Sequence, residues 1–316
     1  MGSPSGLWTS VSGGQAQSQN IDTISNNIAN ANTVGYKKDE IAFKEYLTSV
    51  ENPGDPVIDI PRTAFKDSDF YHHDGRENAM VDVQGVHTDH AQGHYKQTGG
   101  AFDLAVEGPG FFALQTPQGI QYTRAGAFLM NAQGQLVNAD GHQLLGLNAD
   151  GVEALEAART AAQEQQQSAQ GAPTAQVQPA APNLFATALQ RQPAQVGSTL
   201  GPIVVGAPAS KVTVSAQGRI YEGDTLLGAV VLAEFPDVKR LKKAAGTTFV
   251  NEDPTNTPLP ARLSRVHQGA LEQSNVNATS ELVNLIKANR LFEGNMRALK
   301  VYGDMAAKEA NEVGKL

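Results

Sequence analysis

Five histidines fall within a short span of this chain, His72, His73, His87, His90 and His94, interspersed with Asp74, Asp82 and Asp89. Imidazole nitrogens and carboxylates are ligands that Zn2+ accepts, and the run HTDHAQGH over residues 87–94 would let two or three imidazoles reach one ion. Such a site needs ligands fixed on rigid elements and a second set of hydrogen bonds to aim them. These histidines lie in a Gly-containing stretch without clear periodicity. The competing readings are a polar solvated loop or a pH-sensitive patch at a subunit contact, and we assign no metal ligand.

Other catalytic signals are weaker. Gly108-Pro109-Gly110 lacks the strand-to-helix setting and the further glycine of a dinucleotide loop and reads as a turn. There is no GxSxG elbow and no P-loop lysine motif. Asp and Glu are plentiful, yet nothing in the sequence pairs two of them as acid and base for glycoside hydrolysis. The expectation is a protein that is not an enzyme and takes no cofactor, with a metal-dependent or carbohydrate-active β protein as the remote alternative.

Composition narrows the partners. The chain has 316 residues, 24 Lys and Arg against 32 Asp and Glu, and a net charge of −8. No basic stripe concentrates the cations, which excludes a phosphate-driven nucleic-acid binder. Cysteine is absent, so disulfides and thiolate metal sites are excluded too. The start, MGSPSGLWTS, has neither a basic nor an apolar signal region, and no run approaches the length of a membrane span. Neither signal cleavage nor membrane insertion is expected.

The elements that would position any function lie at the two ends. Residues 282–313 carry Leu282, Leu285, Asn289, Phe292, Met296, Leu299, Gly303, Ala306, Ala310 and Val313 at alternating steps of three and four, the seam spacing of a coiled coil. Leu7, Val11, Gly14, Ser18, Ile21, Ser25 and Ile28 follow the same steps with smaller residues. A narrow apolar stripe on a long helix cannot be buried by that helix alone, so each must find other helices. The first helix is expected to start at Ser3 or Ser5 and run to about Asn32, and the last to be capped by Asn277 with Glu281 in its first turn. An amide-rich surface (Gln15, Gln17, Gln19, Asn20, Asn26, Asn27, Asn30, Asn32) suits a helix held among other helices, because amides cost less than charges to desolvate. Trp8 adjoins the seam and reads as an interface anchor. With Ile24 and Ile286 beside the seams, the candidate assembly residues are Leu7, Val11, Ile21, Ile24, Ile28, Leu282, Leu285, Ile286, Phe292, Met296 and Leu299.

Between the ends the pattern is β. Residues 39–97 look irregular, with short strands expected near 57–60 and 81–86 and prolines blocking long helices. From Ala101 to Gly146 short apolar or alternating runs are separated by Pro117-Gln118-Gly119, Gln133-Gly134 and Asp140-Gly141, which sit where hairpins need positive φ. Consecutive antiparallel strands follow, and a second group continues to about Phe235. Residues 153–182 contain 17 Ala or Gln in 30. This stretch, bounded at about 153–196, reads as an insertion with a short helix near 152–167 followed by loose coil. The fold class is a mainly β, hairpin-rich centre with N- and C-terminal helices that form a coiled-coil-like tube domain on assembly. The domains are 1–45, an extended linker 46–98, a β domain 99–268 and a helix 269–316.

Three stretches carry a resemblance. NIDTISNNIANANTVGYKK (20–38), the segment GGAFDLAVEG through HQLLG (99–146) and GALEQSNVNATSELVNLIKANRLFEGNMRALK (269–300) resemble, in the same order, the N-terminal, central and C-terminal blocks of the bacterial flagellar rod and hook family. The resemblance implies terminal helices packed into an inner tube with the β domain outside it. It also implies partners among copies of the chain and neighbouring rod proteins, and export through the flagellar type III apparatus without signal cleavage. The location implied is the periplasmic part of the basal-body rod, with terminal ordering coupled to assembly. Length and Arg290-Leu291-Phe292-Glu293, where other members often carry Arg-Ala-Tyr-Glu, favour the proximal over the distal rod type.

Overall fold

A computed structural model describes residues 5–48, 78–149, 151–152, 200–206 and 212–313. Contacts divide the chain into two units. One contains residues 1–29, 39–87 and 277–316, the other residues 30–38 and 88–276. The boundaries drawn on the sequence at 45/46, 98/99 and 268/269 differ from these, because residues 30–38 belong with the β unit and residues 39–87 with the helices. The strands expected near 57–60, the helix near 152–167 and most of the insertion lie outside the described residues.

In the first unit, helix α1 (Ser5–Ala29) pairs with helix α2 (Ala278–Val313). Helix α1 thus includes Ser5 and stops three residues short of Asn32. The start of α2 follows the sequence: Asn277 Oδ1 accepts from the backbone N–H groups of Thr279 and Ser280 at 3.1 and 3.2 Å, and Glu281 sits in the first turn. Two strands, β1 (Asp39–Thr48) and β2 (Asn78–Thr88), form a ribbon; β2 contains the strand expected near 81–86, and β1 lies where the sequence looked irregular. Helix α1 anchors both strands. The Asn27 amide donates to Asp39 O at 2.8 Å and accepts from Asp39 N at 3.0 Å, and Ser12 Oγ accepts from Val81 N at 3.3 Å.

The second unit is antiparallel β. Its spine is β5 (Phe111–Thr116), which pairs with β6 (Gly119–Thr123) and β9 (Gln143–Asn148). Successive side chains of a strand point to opposite faces. Phe112 and Leu114 therefore enter one core with Leu104, Val106, Leu144, Ile220, Val230, Leu232 and Val266, while Phe111 and Ala113 enter another with Tyr122, Leu145, Val231, Phe235 and Phe249. Burial on both faces explains why FFAL and AVVLA are continuous apolar runs rather than alternating ones. The expected turns are present: Gly119, Gly134 and Gly141 all have φ between 77 and 121°. Strand β10 (Leu200–Pro202) lies beside β9, with Leu200 opposite Leu147, so the Ala/Gln-rich segment leaves and re-enters the sheet at neighbouring points.

The β structure also runs past Phe235. Strands β15 (Leu241–Ala245) and β16 (Thr248–Asn251) make a further hairpin, and β18 (Arg265–Gln268) and β19 (Ala270–Glu272) pair with β4 (Leu104–Glu107) and β3 (Tyr95–Gln97). Residues 270–272 are thus strand, not the beginning of the last helix. Buried Glu234 fixes the loop before β18, its Oε1 accepting from the N–H groups of Arg262, Leu263 and Ser264 and from Ser264 Oγ at 2.8–3.0 Å.

Candidate assembly interface

The two terminal helices bury each other along one edge of each predicted seam. On α2 the residues of reduced exposure are Glu281, Leu285, Ala288, Phe292, Asn295, Ala298, Leu299 and Tyr302, all but Ala298 at alternating steps of three and four. Leu285, Phe292 and Leu299 are seam positions read from the sequence. The other members step one residue back, from Leu282, Asn289, Met296 and Gly303 to Glu281, Ala288, Asn295 and Tyr302. Helix α1 behaves alike: Gly14, Ile21 and Ile28 remain inward, while Val11, Ser18 and Ser25 give way to Ser10, Gln17 and Ile24. The seam as first drawn is therefore rotated relative to the intramolecular one.

Two causes produce that rotation. Small residues set where the helices close: a Cβ on Gly13 would stand 3.1 Å from Asn295 Nδ2, so Asn295 rather than Met296 meets α1. Helix α1 must also turn a second edge, Ser12, Ala16 and Asn27, inward, and two of these residues hold β2 and β1. Only the remaining faces stay in water.

Among the exposed residues are large apolar ones. Leu282, Ile286 and Met296 are 49, 53 and 47% exposed on the flank of α2 next to its buried edge, and Val283, Leu291, Val301 and Met305 are exposed elsewhere on it. On α1, Trp8 is 54% and Val11 38% exposed. Of the eleven candidate residues, Ile24 is buried, Ile21, Ile28, Leu285, Phe292 and Leu299 are half-buried, and Val11, Leu282, Ile286 and Met296 are exposed. The side chains of Leu7, Ala306, Ala310 and Val313 lie outside the described set. Several amides of the α1 surface, Gln15, Gln19 and Asn26, face solvent, whereas Asn27 is consumed by β1.

Among the described residues the histidines do not assemble. His72, His73 and Asp74 lie outside the described residues, His87 and His94 are exposed, and His90 is half-buried. Among the described residues, no group of three or more His, Cys, Asp or Glu is placed to hold a metal ion. The His90 ring stands 5.9 Å from that of Phe111 and 5.1 Å from that of Phe249, with neither nitrogen hydrogen-bonded. Burial, and then the charges of Lys37 and Arg124, pull its pKa down to about 4.

The β unit contains a buried ionic cluster that the sequence reading missed. Glu272 is fully buried, and its Oε1 accepts from Lys37 Nζ at 2.6 Å and from Gly93 N at 2.9 Å. Its Oε2 lies 3.4 Å from Arg124 Nη1. Lys37 also donates to Ala91 O at 2.7 Å, and Arg124 to Gly108 O at 2.6 Å. Burial draws both cationic groups below their ordinary pKa values while Glu272 opposes it. The backbone closes on the same point: Gly35 N donates to Glu272 O at 2.8 Å, and Gly35, at φ 68°, comes so near the Arg124–Ala125 peptide that a Cβ would lie 2.2 Å from Ala125 N. Lys37, Arg124 and Glu272 come one each from the three stretches that carry the family resemblance. No periodicity could have joined residues so far apart in sequence.

Comparison with known proteins picks out the same three stretches, in the same order. Family models described as "Flagella basal body rod protein", "Flagellar hook protein FlgE/F/G D1 domain" and "Flagellar basal body rod FlgEFG protein C-terminal" match residues 7–37, 105–222 and 267–313. The flagellar basal-body rod protein FlgG of Bacillus subtilis is 24% identical over 96% of this chain and 97% of its own length. The rod protein FlgF of Caulobacter vibrioides is 25% identical over 98% of each. The flagellar hook protein FlgE of Brucella abortus is 38% identical, over 45% of this chain and 31% of its own length.

Proposed function

We propose that this chain, which belongs to the flagellar basal-body rod and hook family of structural proteins, is an axial subunit of the bacterial rod that polymerises through its terminal helices. The observation that carries this reading is the apolar flank Leu282, Ile286 and Met296, left exposed after α1 and α2 have paired. A helix pair with a second, unburied apolar edge gains from adding further helices, since each leucine or isoleucine side chain removed from water contributes about 1.5–3 kcal/mol. In the assembled state α1 and α2 line an inner tube, the β unit stands outside it, and the shaft carries torque from motor to hook. The neighbours are copies of this chain and related rod proteins. Delivery is through the flagellar type III apparatus, without a cleaved signal, to the periplasmic part of the basal body. Within the rod we favour the proximal position, on length and Arg290-Leu291-Phe292-Glu293. The test is location: a tagged copy, with purified basal bodies imaged by cryo-EM, should place tag density on the proximal rod. Density on the distal rod would correct the position, and absence from the basal body would end the reading.

A further inference from the structure

From the Lys37–Glu272–Arg124 geometry we infer that Glu272 is a completion latch for the β unit: the unit closes only when its C-terminal strand delivers this carboxylate, and the closed unit is then held shut by it. The residues that meet there are far apart in sequence, Lys37 lying 235 and Arg124 148 positions from Glu272. Glu272 is in β19, the last strand of the unit, which ends four residues later at Val276. Lys37 and Arg124 side chains are 1 and 4% exposed, and that of Glu272 is 0%. Before Glu272 arrives, burying either cation would leave its charge unanswered in a low dielectric, which is strongly unfavourable. The two cations therefore remain in water, and with them Tyr36-Lys37 and the Arg124 turn against which Gly35 packs. Once Glu272 docks, one carboxylate answers Lys37, Arg124 and the Gly93 N–H together, and its own carbonyl takes the Gly35 N–H. Contacts of such sequence separation close late because loop-closure entropy must be met first. A chain presented from its N-terminus thus keeps this unit open until residue 272 is available.

The experiment is a guanidinium chevron on the full-length protein, followed by tyrosine fluorescence, since Tyr36 and Tyr122 are buried in this unit. A contact formed after the rate-limiting barrier changes the unfolding rate and spares the refolding rate. Glu272→Gln, which keeps the shape and loses the charge, is expected to unfold about 100-fold faster with refolding altered less than about twofold. If Glu272→Gln does not fold, Lys37→Met decides, since it leaves Glu272 paired with Arg124; there the expected acceleration of unfolding is about tenfold, again with refolding unchanged. Refolding slowed in proportion to the stability lost, or an unfolding rate that does not move, would overturn the latch.

Discussion

At the scale of single residues, His90 links the fold to pH. Its folded pKa of about 4 lies below the ordinary 6.5 because burial between Phe111 and Phe249 disfavours the cation and Lys37, Arg124 and Lys243 repel it, with Asp89 alone pulling the other way. The unfolded chain therefore binds the proton more readily than the native one. The stability His90 contributes is complete above pH 6.5, declines as pH falls from 6.5 toward 4, and is gone below that. His90→Phe should flatten the part of the Tm-against-pH profile that lies between those values; an unchanged profile would show that His90 does not titrate as the fold requires. The residue types around this site were legible, but their meaning was not. The sequence offered a histidine cluster that would let two or three imidazoles meet an ion or else form a solvated loop or a contact patch, whereas packing turned His90 toward two phenylalanines from distant strands. Lys37, Arg124 and Glu272 gave no local signal at all, because a buried charge is recognisable only once its partner across the fold is known.

At the scale of elements, the termini were legible as helices and the centre as hairpins because both signals are local: seam spacing, the Asn277 cap and glycines at positive φ. The rotation of the seam by one residue was not legible, since the stripe is narrow and several residues that replace its members, Glu281, Asn295, Ser10 and Gln17, are polar; only the close approach at Gly13 and Asn295 reveals the register. A strand near 81–86 was legible, but its pairing with β1 was not: the anchors of the ribbon, Asn27 and Ser12, are polar side chains of another element. This choice of register separates two roles that the sequence had merged. Leu285→Asp strikes the edge shared by α1 and α2 and should lower the stability of the helix pair by about 1–3 kcal/mol, read as loss of helical circular dichroism at lower denaturant. Leu282→Asp, on the exposed flank, should change stability by less than about 0.5 kcal/mol and still prevent incorporation into basal bodies. Both should leave the β unit folded, judged by the hydrogen-exchange protection of β5. Equal losses of helix stability in the two variants would contradict the assigned register.

At the scale of the whole molecule, the chain is a β unit whose first and last segments meet at Glu272 and a helical unit that presents unburied apolar surface. The Ala/Gln-rich segment lies in sequence between two strands of the β unit. Strands β9 and β10 flank it and pair with each other through Leu147 and Leu200, so shortening the connection should not disturb the sheet and costs little in loop entropy. Deletion of residues 153–196 is expected to retain cooperative melting, with Tm shifted by only a few degrees; loss of the cooperative transition in calorimetry would show that the segment belongs to the core. The exposed flank of α2 is proposed as the place where another subunit sits. Site-specific photocrosslinking in flagellated cells tests it most directly, with a benzoylphenylalanine placed at Leu282, at Met296 or, as the inward control, at Ala288. Crosslinks from Leu282 and Met296 to further copies of this chain or to neighbouring rod proteins, and none from Ala288, are the predicted result; no crosslink from either flank position in cells that build complete flagella would contradict the account.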